Sequence, residues 1–458
     1  MKRTLAAFAA ASGAKLLGED RAFGPVSTDS RTLPADALFV ALRGERFDGH
    51  DFAAAAVERG AVAALVERDL GLPVPQLVAD DSLAALSAAA AAWRAGFGIP
   101  VVGVAGSNGK TSTKELVAAI LAERGPVLAT RGSLNNHIGV PLTLFGIGPE
   151  HRAAVIEIGA NHPGEVAALA ALARPTVGLV TNAGAEHLEG FGSLDGVARA
   201  EGELYEGLPG DGTAVVNADD AYAGLWRGMC AAGRIVTFGT GEADVRARGA
   251  RLAVEDGAWA TRFALDTPQG VVSVRLALPG LHNVMNAAGA AAAALACGAT
   301  LAQVAGGLAR VQPVAGRLQL KAGTGGAWIV DDSYNANPSS AIAGLDVLAA
   351  LPGEHWLVLG EMAELGLHAE AAHAEVGRHA RLTGVTRLDA VGEHARHAVA
   401  AFGEGGRWHL DAPSLVDALR PALRPDVTVL VKGSRVNRLE RVVGALEAPP
   451  ARAAGATH

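Results

Sequence analysis

The sequence predicts an α/β protein built in three blocks, with parallel sheets in the second and third. Two observations carry that prediction. Apolar strands alternate with helical patterns over most of the chain, which is the signature of parallel strands joined by crossover helices. Half of the 458 residues are hydrophobic, only 19% are charged and 4% are aromatic, while alanine and glycine abound. That composition favours alanine-rich helices laid over sheets rather than an all-β build, and the length suits about three domains.

The first block covers residues 1–85. Residues 5–13 read as its opening helix rather than a leader, because Lys15 and Glu19 interrupt the apolar stretch. A short strand, Ala37-Leu38-Phe39-Val40-Ala41-Leu42, precedes a polar segment at 43–51. The second block runs over 86–311 and the third over 312–450. Gln312-Pro313 and glycines 323, 325 and 326 flank the boundary between them, and an Ala/Pro/Gly tail with a disordered look comes after Glu447. No short repeat of the solenoid kind is visible.

The ends of the apolar strands are informative. Residues 101–104 lead into a glycine-rich turn, 154–156 into Glu157, and 177–180 into Thr181-Asn182. Residues 328–330 lead into Asp331-Asp332, 356–359 into Gly360-Glu361, and 427–431 into Lys432-Gly433-Ser434-Arg435. Open parallel sheets bind ligands beyond the carboxyl ends of their strands. Six polar strand ends therefore predict two sheets whose active edges face one cleft.

The turn Gly106-Ser107-Asn108-Gly109-Lys110-Thr111-Ser112 is the strongest local signal. Glycines let backbone N–H groups approach phosphate oxygens, the lysine adds positive charge, and the threonine hydroxyl can ligate Mg²⁺. The usual phosphate loop has glycine five residues before Gly109, where Val104 stands, so this is a shorter Gly-x-x-Gly-Lys-Thr form.

Further features fit a nucleotide–metal site. Glu157, flanked by isoleucines at the end of a buried strand, needs a partner, and Mg²⁺ would be a natural one. His187, in a glycine-rich turn after a strand end, is a plausible metal ligand. Glu201 stands in the apolar face formed by Leu194, Val197, Leu204 and Leu208, so it must pair with a cation or have its pKa raised. Asn283 and Asn286, just before an alanine-rich helix, could read a purine edge, although an N-cap suits one of them equally well. Arg317 could clamp a γ-phosphate or an acyl phosphate; an exposed arginine is the alternative.

The net charge of −8 and the lack of a dense basic block argue against nucleic acid. Cys230 and Cys297 have no metal-like spacing and read as buried thiols of a reducing compartment. No run is long and unbroken enough to span a membrane. The expectation is a soluble cytoplasmic protein, acting as a monomer.

Together these residues resemble the Mur ligase family, the ATP-dependent amide-bond formers of peptidoglycan assembly. The resemblance covers nearly the whole chain. It is carried by Asp29-Ser30-Arg31 with residues 38–52, by residues 106–115, by Asn135-Asn136-His137-Ile138-Gly139-Val140-Pro141, by residues 187–193 and 331–338, and by Lys432-Gly433-Ser434-Arg435. It implies a UDP-substrate domain, a central P-loop ATPase domain and a Rossmann-like C-terminal domain. The chain is similar to the branch that joins D-alanyl-D-alanine to a UDP-N-acetylmuramoyl tripeptide.

The resemblance implies that residues 106–112 hold ATP phosphates and that Thr111, Glu157 and His187, with Glu201, surround Mg²⁺. It implies that Asn283, Asn286, Arg317 and Asp332 hold the nucleotide. Ser30, Arg31, Arg46, Asp48, Gly49 and His50 would meet the uridine diphosphate sugar, and Asn135 and Asn136 would serve substrate as well. Tyr334, Asn335 and Asn337 would sit near the incoming dipeptide. Where the family carries a lysine that becomes carbamylated, this chain has Glu201, a carboxylate needing no CO₂; being shorter, it would reach Mg²⁺ through water. Ser133 and Glu361 replace a usual asparagine and aspartate. A sibling or polyglutamate-type ligase adding one amino acid, and a P-loop ATPase that drives a partner without ligation, are the alternatives.

Overall fold

The computed structural model describes residues 3–44, 47–185, 188–255 and 257–448. Three sheets, one in each sequence block, organise them. The first has five strands in the order Lys15–Leu17, Gln76–Val78, Ala63–Val66, Leu38–Val40 and Val26–Ser27, antiparallel only at the first pair. The helix Ser82–Ala95 begins where the Asp81 carboxylate accepts from the N–H groups of Leu83 and Ala84. It packs on Leu5–Ser12 and also on the central helices Gly139–Leu144 and Glu165–Ala173, so it joins the first two blocks.

The central sheet has nine strands. Val101–Ala105 is third from one edge, between Ala153–Glu157 on one side and Val177–Val180 on the other, all parallel. The chain order reverses across this strand, and crevices at such reversals are where open α/β sheets bind ligands. The all-parallel expectation fails at the other edge. Val245–Glu255, Ala258–Thr267 and Gly270–Leu276 form an antiparallel meander. Its physical cause was present in the sequence: Asp256-Gly257 separates two alternating runs, a strong hairpin signal. The meander is more than an edge. Trp259, buried, donates its indole N–H to the Leu318 carbonyl at 2.9 Å and packs with Leu345 and Leu357 in the third domain's core.

The C-terminal sheet runs Gln319–Ala322, Trp328–Asp332, Val427–Lys432, Glu354–Leu359, Val385–Val391 and Gly406–His409, parallel except for the first strand. Its central strands are almost wholly buried, as sheets covered by helices on both faces require. All six polar strand ends read from the sequence lie at strand termini. Cys230 and Cys297 are free and half-buried, less enclosed than expected. The tail beyond 448 lies outside the described residues. Among the described residues, no helix is long and apolar enough to cross a membrane.

Candidate active site

The site starts from the turn after Val101–Ala105. Gly106 has φ +116° and a Cβ there would fall 2.2 Å from Thr181 Oγ1; Gly109 has φ +82° and its Cβ would fall 2.6 Å from Asn286 Oδ1. Only glycine fits either place. The helix Lys110–Ala122 begins there, with no side chain capping its first turn. Its free N–H groups and dipole make an anion site.

The loop is held from behind. Asn182 accepts from the Asn108 N–H (3.0 Å) and donates to the Asn108 carbonyl (2.9 Å), while the Thr181 hydroxyl donates to the same carbonyl. Ser107 Oγ accepts from the Gly184 N–H at 2.8 Å. Glu201, only 2% exposed, accepts from the Gly106 N–H at 2.6 Å. The family resemblance implied that Glu201 reaches the metal through water; in the structure one carboxylate oxygen braces the phosphate loop, and Glu201 does not line the cleft. Lys110 folds back, with Nζ 2.5 Å from the Gly106 carbonyl and 3.2 Å from that of Ser107.

Glu157 ends the strand Ala153–Glu157 and is 2% exposed. Its Oε1 accepts from Asn135 Nδ2 (2.9 Å) and from the Thr111 hydroxyl (3.2 Å). Its Oε2 has no hydrogen-bond partner among the described residues, and the buried Lys114 ammonium stands 4.0 Å away. A buried carboxylate oxygen left without a hydrogen bond is costly. Beside a threonine hydroxyl, it offers the oxygen donors that a hard divalent cation prefers. Among the described residues no group of three or more His, Cys, Asp or Glu clusters as a ready metal cage. Mg²⁺ keeps waters and phosphate oxygens as ligands, so it needs few oxygens from the protein. His187 lies outside the described residues.

The third domain closes onto this loop. Arg317 donates from Nη2 to Thr111 Oγ1 at 3.2 Å and lies over the Tyr334 ring, 4.5 Å from its centroid. It is therefore not a mere surface arginine. Asn337 caps the helix Pro338–Ala349, accepting from the Ser340 N–H, and its Nδ2 donates to Asn108 Oδ1 at 2.9 Å. Asp332 pairs with Lys432 at 2.5 Å in the interior, and Lys432 also donates to the Asn335 carbonyl.

These groups share one cleft of about 570 Å³. It is lined by Ser107 through Ser112, Asn135, Glu157, Asn283, Asn286, Arg317, Asp332, Tyr334, Asn335 and Asn337. Gly106 lies just behind the lining. Neither Asn283 nor Asn286 is an N-cap, because the helix Leu281–Ala296 begins earlier, at Gly280. Asn283 donates to the Pro279 carbonyl, and Asn286 donates to Asn283 Oδ1. Beside them, burial pushes the His282 pKa down to about 4, so a neutral ring faces the cleft. Asn136 stays out of it; its side chain accepts from the N–H groups of Ile138 and Gly139, at the start of Gly139–Leu144.

The first-domain residues do not line this cleft. Arg31 pairs through Nε and Nη2 with Asp29, and those hydrogen bonds hold Asp29 down at about 2. Ser30 is half-buried beside them. His50 is buried: Nδ1 donates to Asp48 (2.5 Å) and Nε2 accepts from the Glu67 N–H (2.9 Å). Both nitrogens are used inside the protein, so His50 and Asp48 build the turn that presents this segment. Gly49 packs on Leu42, where a Cβ would lie 2.6 Å from backbone atoms. Arg46 lies outside the described residues.

Residues 104–294 match the model of the Mur ligase middle domain, 316–435 that of the Mur ligase glutamate ligase domain, and 22–122 that of the Mur ligase family catalytic domain. The chain is similar to the UDP-N-acetylmuramoyl-tripeptide--D-alanyl-D-alanine ligases of Escherichia coli and Haemophilus influenzae. Identity to the first is 44%, covering 94% of this chain and 96% of that one. Identity to the second is 37%, covering 95% and 96%. Among solved structures, a MurF from Acinetobacter baumannii superposes with a TM-score of 0.90 at 34% identity, covering 97% of this chain and 98% of that one. The MurF ligase from Thermotoga maritima in complex with ADP gives 0.81 at 26%, covering 92% and 96%.

Proposed function

This chain belongs to the Mur ligase family, and from that premise we infer that it joins D-alanyl-D-alanine to a UDP-N-acetylmuramoyl tripeptide at the expense of ATP, in the cytoplasm. The observation that carries this reading is the single cleft in which Lys110 and Thr111 of the phosphate loop face Arg317, Tyr334, Asn335 and Asn337 of the third domain. Relatives of that named activity match this chain nearly end to end.

The chemistry comes from the parts. A carboxylate and an amine do not condense in water, so the tripeptide's terminal carboxylate is first phosphorylated by ATP. The amine of the dipeptide then attacks the acyl phosphate, a tetrahedral intermediate forms, and phosphate leaves. Lys110 swings from the Gly106 carbonyl to the transferring phosphoryl group, and Arg317 approaches it from the opposite domain. Thr111 and Glu157 would hold Mg²⁺ through their oxygens, and the family resemblance adds His187 to that set. That ion would neutralise charge on the phosphates when bound. The bridges from Asn108 to Asn337 and Ser339 bring the domains together over the acyl phosphate and exclude water. Ser30, Arg31 and the 43–51 segment are the first-domain groups offered to the uridine diphosphate.

Phosphate release by the purified protein tests the reading. It should require ATP, the UDP-tripeptide and D-alanyl-D-alanine together. Release without the dipeptide would favour a plain ATPase, and equal turnover with single amino acids would favour a sibling ligase. Glu201 adds a second expectation. It brings its own carboxylate, so added bicarbonate should leave the rate unchanged; a clear stimulation would mean that a lysine elsewhere is carbamylated.

A further inference from the structure

A second cavity, of about 410 Å³, opens beside the cleft and shares Ser133, Tyr334, Asn335 and Asn337 with it. Among the described residues its lining contains one cation, Arg435, and one acid, Glu364. We propose that Arg435 is the group that binds the carboxylate of the incoming dipeptide. The assignment rests on the reading that D-alanyl-D-alanine is the amine substrate.

Three observations support it. Arg435 is exposed to the cavity and makes no ion pair with a described residue. Its guanidinium lies 5.4 Å from the centroid of the Tyr334 ring, the ring that Arg317 covers at 4.5 Å. One aromatic ring thus touches both a guanidinium at the phosphate loop and a second one at the side cavity. Their guanidinium carbons are at most about 10 Å apart, a span that two extended residues of about 7 Å cover once a hydrogen bond of about 3 Å is added at each end. Its amine would lie at the acyl phosphate and its carboxylate at Arg435.

The turn that carries Arg435 is held firmly. Ser434 Oγ donates to the Ala336 carbonyl and accepts from the Ala363 N–H. The Asn437 amide donates to the carbonyls of Glu361 and Ser434 and accepts from the Glu361 N–H. A guanidinium fork carried on a fixed turn suits a planar carboxylate. A substrate ending one residue earlier would leave Arg435 unpaired, which gives a physical basis for choosing a dipeptide over a single amino acid.

The test compares D-alanyl-D-alanine with its C-terminal amide, which lacks the charge, in the full-length wild type, Arg435→Gln and Arg435→Lys. Wild type should prefer the acid by about tenfold or more, the scale of a charge-assisted pair. Arg435→Gln should raise KM for the acid by about the same factor and treat acid and amide alike, with KM for ATP and the UDP-tripeptide unchanged as proof of an intact fold. Arg435→Lys should fall between, because a point charge lacks the fork. Undiminished preference for the acid in Arg435→Gln would overturn the assignment, as would a change in KM for ATP alone. A wild type that ligates only single amino acids would sink the dipeptide reading itself, and the assignment with it.

Discussion

Lys110→Ala should lower kcat by about a thousandfold while leaving the melting temperature close to that of the wild type. Removing one preorganised group aimed at developing charge typically costs about 10² to 10³ in kcat, and Lys110 carries a full positive charge. Its ammonium rests on the carbonyls of Gly106 and Ser107 and is placed to turn onto the phosphoryl group during transfer. The loop itself is held by Asn182, Thr181, Ser107 and Glu201, none of which the substitution touches. Stability should therefore change little. An interaction made only in the transition state lowers kcat and kcat/KM together, so KM for ATP should move far less than kcat. Paired measurements of product formation and thermal unfolding decide the matter. A variant that keeps a tenth of wild-type turnover would show that the phosphate loop works without its lysine.

Much of this site was legible because the same few rules act on backbone and on function. A parallel strand buried on both faces must be apolar, so a charged residue at its end stands out, and Glu157, Asp332 and Lys432 all did so. Gly106 and Gly109 were legible because the turn leaves no room for Cβ. The residues that escaped notice depended on contacts distant in sequence. Glu201 was rightly read as a carboxylate in an apolar helix face, but its partner, the Gly106 N–H, lies 95 residues away. His50 was named only through the family resemblance, and its internal use of both nitrogens depends in part on the Glu67 N–H, 17 residues away. The antiparallel meander was missed although Asp256-Gly257 announces a hairpin; alternation with helices elsewhere suggested parallel strands throughout. Arg435 appeared within a motif but had no role until the fold placed it beside Tyr334.

Glu157→Gln separates two uses of a buried carboxylate. On the reading that Glu157 holds Mg²⁺, the nearly isosteric amide keeps the contact with Asn135 and the space, but removes the charge. The rate should fall about a hundredfold, the scale of one lost electrostatic contact at the phosphates, and the Mg²⁺ needed for half-maximal rate should rise at least about tenfold. The metal-free protein should not be destabilised, because the substitution deletes an oxygen that has no hydrogen bond among the described residues. Lys114 keeps the Glu115 carboxylate at 2.8 Å and the Thr130 carbonyl at 2.7 Å. The extra stability conferred by Mg²⁺ and nucleotide should shrink, since a ligand stabilises only as far as it binds the native state. The competing use is structural. If Glu157 served chiefly to neutralise Lys114, removing one member of a buried pair would cost about 3–5 kcal/mol and leave the Mg²⁺ dependence alone. Melting curves of the metal-free variant, with a Mg²⁺ titration of its rate, give opposite results under the two readings, so a less stable protein with an unaltered Mg²⁺ requirement would remove Glu157 from the metal site.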